Sequence, residues 1–123
     1  MGDTMKHWQR VISTWVKDTF GYENQASTRI RALRFMEEAI ELGQVIGLKE
    51  KDIFQLVDKV FAKPAGELKQ ELGGTIVTLL ALTENQGESV LDCLILESHR
   101  IHQPEVIKKC QQSEKKKMEA RLK

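Results

Sequence analysis

Apolar residues recur at intervals of three and four positions along most of this chain, which is the spacing of amphipathic α-helices. The pattern is interrupted at Gly21, Gly47 and Gly87 and at the two prolines, Pro64 and Pro104. Glycine is common just beyond the last turn of a helix, and proline is common in the first turn. These positions therefore predict helix boundaries. Because no segment of convincing length alternates as a strand would, the chain is predicted to be all-α.

The predicted helices cover residues 6–20, about 28–46, 50–62, 67–86, 89–102 and 105–114, and residues 22–26 are predicted to form a loop. Ser27 or Thr28 is expected to cap the second helix. The most apolar run, Thr75–Thr83, is too short to cross a bilayer and fits a buried helix. Residues 113–123 are rich in charge and are expected to be a solvated, frayed helix end, with a phosphate-reaching tail as the alternative.

Length and composition fit one soluble domain spanning residues 1–123, with a core over about 5–112 and a charged tail over 113–123. The net charge of +1 provides no basic field that would favour nucleic acid, so no nucleic-acid partner is expected. Cys93 and Cys110 do not have the spacing of a zinc site, and the first residues lack the apolar run of a signal peptide. These features predict a cytoplasmic protein with no membrane partner.

Five glutamates form two acidic sets on separate predicted helices. Glu37, Glu38 and Glu41 lie three and four residues apart, so their carboxylates share one helical face, and Glu67 and Glu71 repeat that spacing later in the chain. Such like charges repel by roughly 0.2–0.5 kcal/mol per pair, and apolar residues surround them, so a cation is needed to compensate them. If the two helices pack antiparallel, Glu38, Glu41 and Glu71 converge. Hard oxygen ligands favour Mg²⁺, with Mn²⁺ also possible.

These residues also resemble a known family. The motif Glu37-Glu38-x-x-Glu41, followed after a spacer by Glu71-x-x-position 74, is similar to the metal motif of the MazG-like, all-α nucleoside triphosphate pyrophosphohydrolases. The surrounding residues are similar as well, over segments 31–42, 66–74 and 78–82, and the resemblance covers roughly residues 28–110. It implies a four-helix-bundle core with additional short helices, assembled as a homodimer or homotetramer whose pocket includes residues of two subunits.

The activity implied by the resemblance is Mg²⁺-dependent hydrolysis of an NTP or dNTP to the monophosphate and pyrophosphate. Glu38, Glu41 and Glu71 would be metal ligands, and a carboxylate not engaged as a ligand, Glu37 or Glu41, would take a proton from the attacking water. The chain departs from the family pattern at Gly74, where an Asp is usual. Three alternatives follow: water completes the coordination, Glu67 partly compensates, or the protein binds nucleotides without cleaving them.

Cations and aromatic rings complete the predicted substrate site. Arg29, Arg31 and Arg34 precede the first acidic set and are candidates for phosphate binding, with Lys63, just before the second acidic helix, and Arg100 as weaker candidates. Arg34 is also four residues from Glu38, and an ion pair between them is the structural alternative. Trp8 and Trp15 lie seven apart on one helix face, where they are expected either to pack in the core or to stack on a base.

Overall fold

The computed structural model describes residues 3–122, with side chains from residue 4 to 121. Over that range it contains seven helices and no strand, so the predicted all-α class is confirmed. The helices are α1 (Asp3–Phe20), α2 (Tyr22–Ala26), α3 (Thr28–Ile46), α4 (Glu50–Phe61), α5 (Leu68–Asn85), α6 (Val90–Ile101) and α7 (Pro104–Leu122).

The helix boundaries follow the signals that the sequence carries. Gly21 and Gly47 end their segments with φ of 93° and 112°, a region that residues with a Cβ rarely adopt. The hydroxyl of Ser27 accepts a hydrogen bond from the backbone N–H of Ile30 at 3.2 Å, which makes Ser27 the cap of α3 as predicted. Pro104 begins α7, where its missing N–H costs nothing.

Two local predictions are wrong. Residues 22–26 form the short helix α2 and not a loop, because Asn24 is buried there and held by a distant part of the chain. The last helix does not end near Glu114 but continues to Leu122, since Glu114 is itself buried and paired with Arg121 further along the same helix. Both corrections involve the same long-range hydrogen bond, between Asn24 and Glu114.

The chain folds into two compact units, of which the first comprises residues 1–31 and 90–123. Here α1 packs against α2 and α7, and α6 packs against α7. Val16, in the second half of α1, is buried, and the indole Nε1–H of Trp15 donates to the carbonyl oxygen of Ile101 at 2.8 Å. The amide of Gln111 donates to the carbonyl oxygen of Thr19 at 3.0 Å, which ties α7 to the end of α1.

The second unit comprises residues 32–89, all of which the structure describes, and only Gly43 is buried among them. A Cβ at Gly43 would lie 3.2 Å from the side chain of Leu48, so the absent side chain permits the tight turn from α3 to α4. Most large apolar residues of α4 and α5 are exposed, whereas Ile53 and Leu82 are half-buried; the exposed ones include Val57, Val60, Phe61, Leu68, Leu72, Ile76, Leu79 and Leu80. Because α5 contains no buried residue, the prediction that Thr75–Thr83 forms a buried helix is wrong for the single chain.

Candidate functional site

Glu37, Glu38 and Glu41 lie on the middle turns of α3, as their spacing predicted. The guanidinium of Arg34 donates to a carboxylate oxygen of Glu37 and to one of Glu38, each at 3.0 Å. The ion pair predicted between Arg34 and Glu38 is therefore present. The Glu38 side chain remains 65% exposed, and Glu41 is exposed one turn further along. This face of α3 thus presents three carboxylates and one arginine.

The second acidic set lies at the start of α5. Glu67 is the N-cap residue of that helix, and Glu71 is in its first turn. The Glu71 side chain folds back toward the loop, since its Oε1 lies 2.6 Å from where a Cβ of Gly66 would stand. A carboxylate at this end of a helix is stabilised by the positive end of the helix dipole. Gly66 therefore leaves room for the Glu71 carboxylate beside the helix start.

The carboxylates of Glu38, Glu41 and Glu71 are of the type that binds magnesium, but the structure does not place all three together. Carboxylate oxygens at the spacing of Glu38 and Glu41 are the donors that Mg²⁺ prefers. Among residues 4–121, however, no group of three or more His, Cys, Asp or Glu side chains is placed to hold one ion. The predicted convergence of Glu71 with Glu38 and Glu41 does not occur within this single chain.

Gly74, where the resembled family usually has Asp, lies inside α5. Nothing lies within 4 Å of the position that its Cβ would occupy. A larger side chain is therefore sterically possible at this site. The glycine is not required by close packing within the chain.

Trp8 and Arg31, both predicted to contact substrate, line the same cavity in the first unit. This cavity has a volume of about 550 Å³. Its remaining walls are Met5, Gln9, Ile12, Ser13, Val16, Gln25 and Leu94. The amide of Gln25 donates to the hydroxyl of Ser13 at 2.7 Å, so the two polar groups form one ordered edge. An aromatic ring, apolar walls and a few amides are the usual features of a site for a flat heterocycle.

Arg31 is held in this wall by a chain of buried polar groups that the sequence did not predict. Its Nη2 donates to Oδ1 of Asn24 at 2.5 Å, and Nδ2 of Asn24 donates to Glu114 at 2.8 Å. Arg121 donates to both oxygens of Glu114, at 2.9 and 3.3 Å. Asn24 and Glu114 are separated by 90 residues, so no local pattern could have paired them. Gln9 and Ser13, in contrast, could have been found, because they flank the stripe of Trp8 and Ile12 on a helical wheel.

The pKa of the Glu114 carboxyl reflects two opposing effects. Burial alone would raise this pKa, because it disfavours the charged form. Hydrogen bonds from Arg121 and Asn24, together with the charges of Arg121 and Lys117, outweigh burial and lower the pKa below its ordinary value. Glu114 is therefore ionised at neutral pH.

Trp15 occupies a different groove from Trp8. That groove is lined by residues including His7, Arg10 and His102, and the ring of Trp15 meets Phe20 edge-on at a centroid distance of 5.6 Å. Since its N–H bonds the carbonyl of Ile101, Trp15 joins α1 to the end of α6. This position agrees with the core-packing alternative, and the structure does not bring Trp15 into the cavity of Trp8 and Arg31.

The three remaining candidate cations, Arg29, Lys63 and Arg100, are not among the residues that line that cavity. Lys63 is exposed in the segment between α4 and α5. Arg100 donates two hydrogen bonds to Glu97, at 2.8 and 2.7 Å, and these bonds lower the pKa of the Glu97 carboxyl. Arg100 is therefore engaged by its own helix neighbour on α6.

In comparisons with known proteins, no family model, no curated protein and no solved structure matches the chain. None of the helices in residues 3–122 has the length and apolar character needed to cross a membrane.

Proposed function

We propose that this protein is a nucleoside triphosphate pyrophosphohydrolase of the MazG-like type. The observation that carries the proposal is that the single helix α3 bears, in order, Arg31, Arg34 and the carboxylates of Glu37, Glu38 and Glu41. One helix thus supplies cations suited to phosphates and oxygen donors suited to a metal ion.

The substrate would place its base against Trp8, between the apolar walls of the cavity. Gln9, Ser13 and Gln25 would supply hydrogen-bonding groups to the edge of that base. Arg31 and Arg34 would bind the phosphate oxygens, because guanidinium groups match phosphate geometry and remain charged at all physiological pH values. Binding of a phosphate by Arg34 would weaken its pairing with Glu38 and release that carboxylate.

The reaction would be attack of water on the α-phosphorus. The new P–O bond forms as the bond from the α-phosphorus to the bridging oxygen of the β-phosphate breaks, so the products are the monophosphate and pyrophosphate. A carboxylate that is not engaged as a metal ligand, Glu37 or else Glu41 where it is released from the ion, would accept the proton that the water loses. A bound Mg²⁺, or Mn²⁺, held by Glu38, Glu41 and Glu71, would neutralise phosphate charge and lower the pKa of the attacking water.

A second copy of the chain is proposed to complete the site and the four-helix core. Large apolar side chains on α4 and α5 are about half exposed or more, and full burial of such a side chain from water contributes about 1.5–3 kcal/mol, so covering the exposed half of each would contribute part of that amount. A net charge of +1 offers little repulsion between copies. A homodimer, or a homotetramer made from two dimers, would cover these faces. It would also allow Glu71 to meet Glu38 and Glu41 across the subunit boundary.

A second candidate function is nucleotide binding without cleavage, and Gly74 is the residue that favours it. With no carboxylate at that position, the ion would lack one protein ligand, although Mg²⁺ commonly retains several waters. Glu67, the N-cap of α5, is the other carboxylate that would supply part of the missing charge. Hydrolysis and binding without cleavage would both use the cavity that Trp8 and Arg31 line, and only the hydrolase would convert the bound triphosphate to products.

The experiment that separates them is a panel of ribo- and deoxyribonucleoside triphosphates incubated with Mg²⁺ or Mn²⁺. Pyrophosphate and monophosphate are measured for the wild type and for Gly74→Asp. Hydrolysis by the wild type supports the hydrolase. Tight binding by calorimetry with no wild-type turnover supports the binding protein, and gain of turnover in Gly74→Asp would identify the missing ligand as the cause.

A further inference from the structure

A continuous series of hydrogen bonds connects the last helix, α7, to the wall of the cavity that Trp8 and Arg31 line. It begins at Arg121 on α7, passes through Glu114 and Asn24, and ends at Arg31. All four residues belong to the first unit of the chain. Of these four, Arg31 is the one that lines the cavity with Trp8, so the other three act on the cavity only through it.

The side-chain amide of Asn24 determines which of its two ends faces Glu114 and which faces Arg31. A side-chain amide has one face that only donates and one that only accepts. The ionised carboxylate of Glu114 only accepts, so it must face the amide nitrogen, which it does at 2.8 Å. The oxygen of Asn24 is therefore turned toward Arg31, whose Nη2 donates to it. Glu114 thus determines which side of Asn24 the guanidinium of Arg31 meets.

Burial makes this arrangement rigid. Asn24 and Glu114 are 6% exposed, and a buried carboxylate is tolerated only when its oxygens are fully hydrogen-bonded. Arg121 and Asn24 together provide those bonds. A rotation of Asn24 would bring its oxygen against the Glu114 carboxylate and is therefore disfavoured.

We infer that Asn24 and Glu114 are positioning residues, which hold the guanidinium of Arg31 in the orientation that receives the phosphates of a nucleotide. This inference rests on the proposed function, since it assigns a phosphate to Arg31. It gives the charged C-terminal helix a role in the site: Arg121 keeps Glu114 ionised and in place. None of these three residues touches the substrate.

The test compares affinity for a nucleoside triphosphate with a methylene between the α- and β-phosphorus atoms and affinity for the corresponding nucleoside, which has no phosphate. The variants are Glu114→Gln and Asn24→Ala, measured by calorimetry in the full chain. Glu119→Gln is the matched control, because it removes the same charge from an exposed position on the same helix. Arg31→Gln provides the reference for complete loss of the guanidinium.

The inference predicts that Glu114→Gln and Asn24→Ala weaken triphosphate binding roughly tenfold and leave nucleoside binding within about twofold. Glu119→Gln should change neither affinity. In the double variant Glu114→Gln/Arg31→Gln, the loss should be no greater than in Arg31→Gln alone, because both changes remove one interaction. Equal losses for triphosphate and nucleoside would mean that the cavity has simply collapsed, and would overturn the positioning role.

If the wild type binds no triphosphate at all, the proposed function fails. Whether Asn24 and Glu114 orient the guanidinium of Arg31 is then tested separately. The ¹⁵N–¹H signal of the Arg31 Nε is recorded in the wild type and in the same variants. The inference predicts that this signal shifts and exchanges faster with water in Glu114→Gln and Asn24→Ala, but not in Glu119→Gln. An unchanged signal in all three variants would show that Glu114 and Asn24 do not orient Arg31.

Discussion

The guanidinium of Arg34 lies 3.0 Å from a carboxylate oxygen of Glu38, so a predicted phosphate ligand and a predicted metal ligand are paired with each other in α3. In the absence of substrate this contact compensates both charges on a largely exposed helix face. Such surface pairs contribute little to stability, typically a few tenths of a kcal/mol. A functional role for Arg34 can therefore be separated from its structural one.

Replacing Arg34 by Gln is expected to change the free energy of unfolding by no more than about 0.5 kcal/mol. The same change should raise the KM for the triphosphate substrate at least tenfold, because a charged phosphate contact is lost. Urea denaturation and initial rates of pyrophosphate release measure the two effects. Arg10→Gln, at an exposed position on α1, is the control and should leave the rate unchanged. A large loss of stability with an unchanged KM would contradict the assignment.

Replacing Trp15 by Phe is expected to cost about 1–2 kcal/mol of folding free energy. The phenyl ring fills most of the space, but the carbonyl of Ile101 loses the donor that lies at 2.8 Å. Trp8→Phe makes the same exchange of rings at the cavity wall and serves as the comparison. Chemical denaturation should show the larger loss for Trp15→Phe, whereas nucleotide affinity should fall more for Trp8→Phe. The reverse order would assign the tryptophans the opposite roles.

Glu114 should make stability depend on pH in acid. Its pKa is lower in the folded chain than its ordinary value of 4.5, so the folded state binds fewer protons than the unfolded state in that range. The contribution is therefore present above about pH 4.5 and is lost as the pH falls through the lowered folded pKa. Glu114→Gln should be less stable at pH 7 and should show a shallower decline below pH 4.5. Parallel stability curves for the wild type and the variant would contradict this account.

The exposed face of α5 should mediate association. Ile76→Lys places a charge in the middle of the stripe formed by Leu72 and Leu80 and is expected to convert the assembly to monomers in sedimentation experiments. Activity should be lost with the assembly, since a second copy is proposed to supply Glu71. Lys69→Glu, at an exposed polar position on the same helix, is the control and should remain associated. A wild-type chain that is monomeric and active would contradict the shared site.

The sequence predicted the helices well wherever a local signal defines them. Ser27 acts through its hydroxyl on the first turn of α3, and the glycines at positions 21, 47 and 87 act through their own backbone, so these effects are readable from neighbouring residues. The helix α2 was missed because five residues show no periodicity and because Asn24 is fixed by Glu114, 90 residues away. The full length of α7 was missed for the same reason, since its charges suggest solvent while Glu114 is buried.

The site was predictable to a similar extent. Helical spacing placed the carboxylates of Glu38 and Glu41 on one face of α3 and suggested that Arg34 would pair with Glu38. The same spacing grouped Trp8 with Trp15, but contacts with α6 and α7 place the two rings in different grooves. Convergence of Glu71 with the first acidic set depends on how helices pack, which neither spacing nor composition determines.

The most direct measurement is pyrophosphate release from the triphosphate panel by the wild type, Glu38→Gln and Glu41→Gln in the presence of Mg²⁺. The account predicts that the wild type converts at least one triphosphate to equal amounts of monophosphate and pyrophosphate. Both variants should lose this activity by about a hundredfold or more, which corresponds to roughly 3 kcal/mol of barrier, while remaining folded. If the wild type releases no pyrophosphate, or if both variants hydrolyse as fast as the wild type, the carboxylates of α3 are not a catalytic metal site.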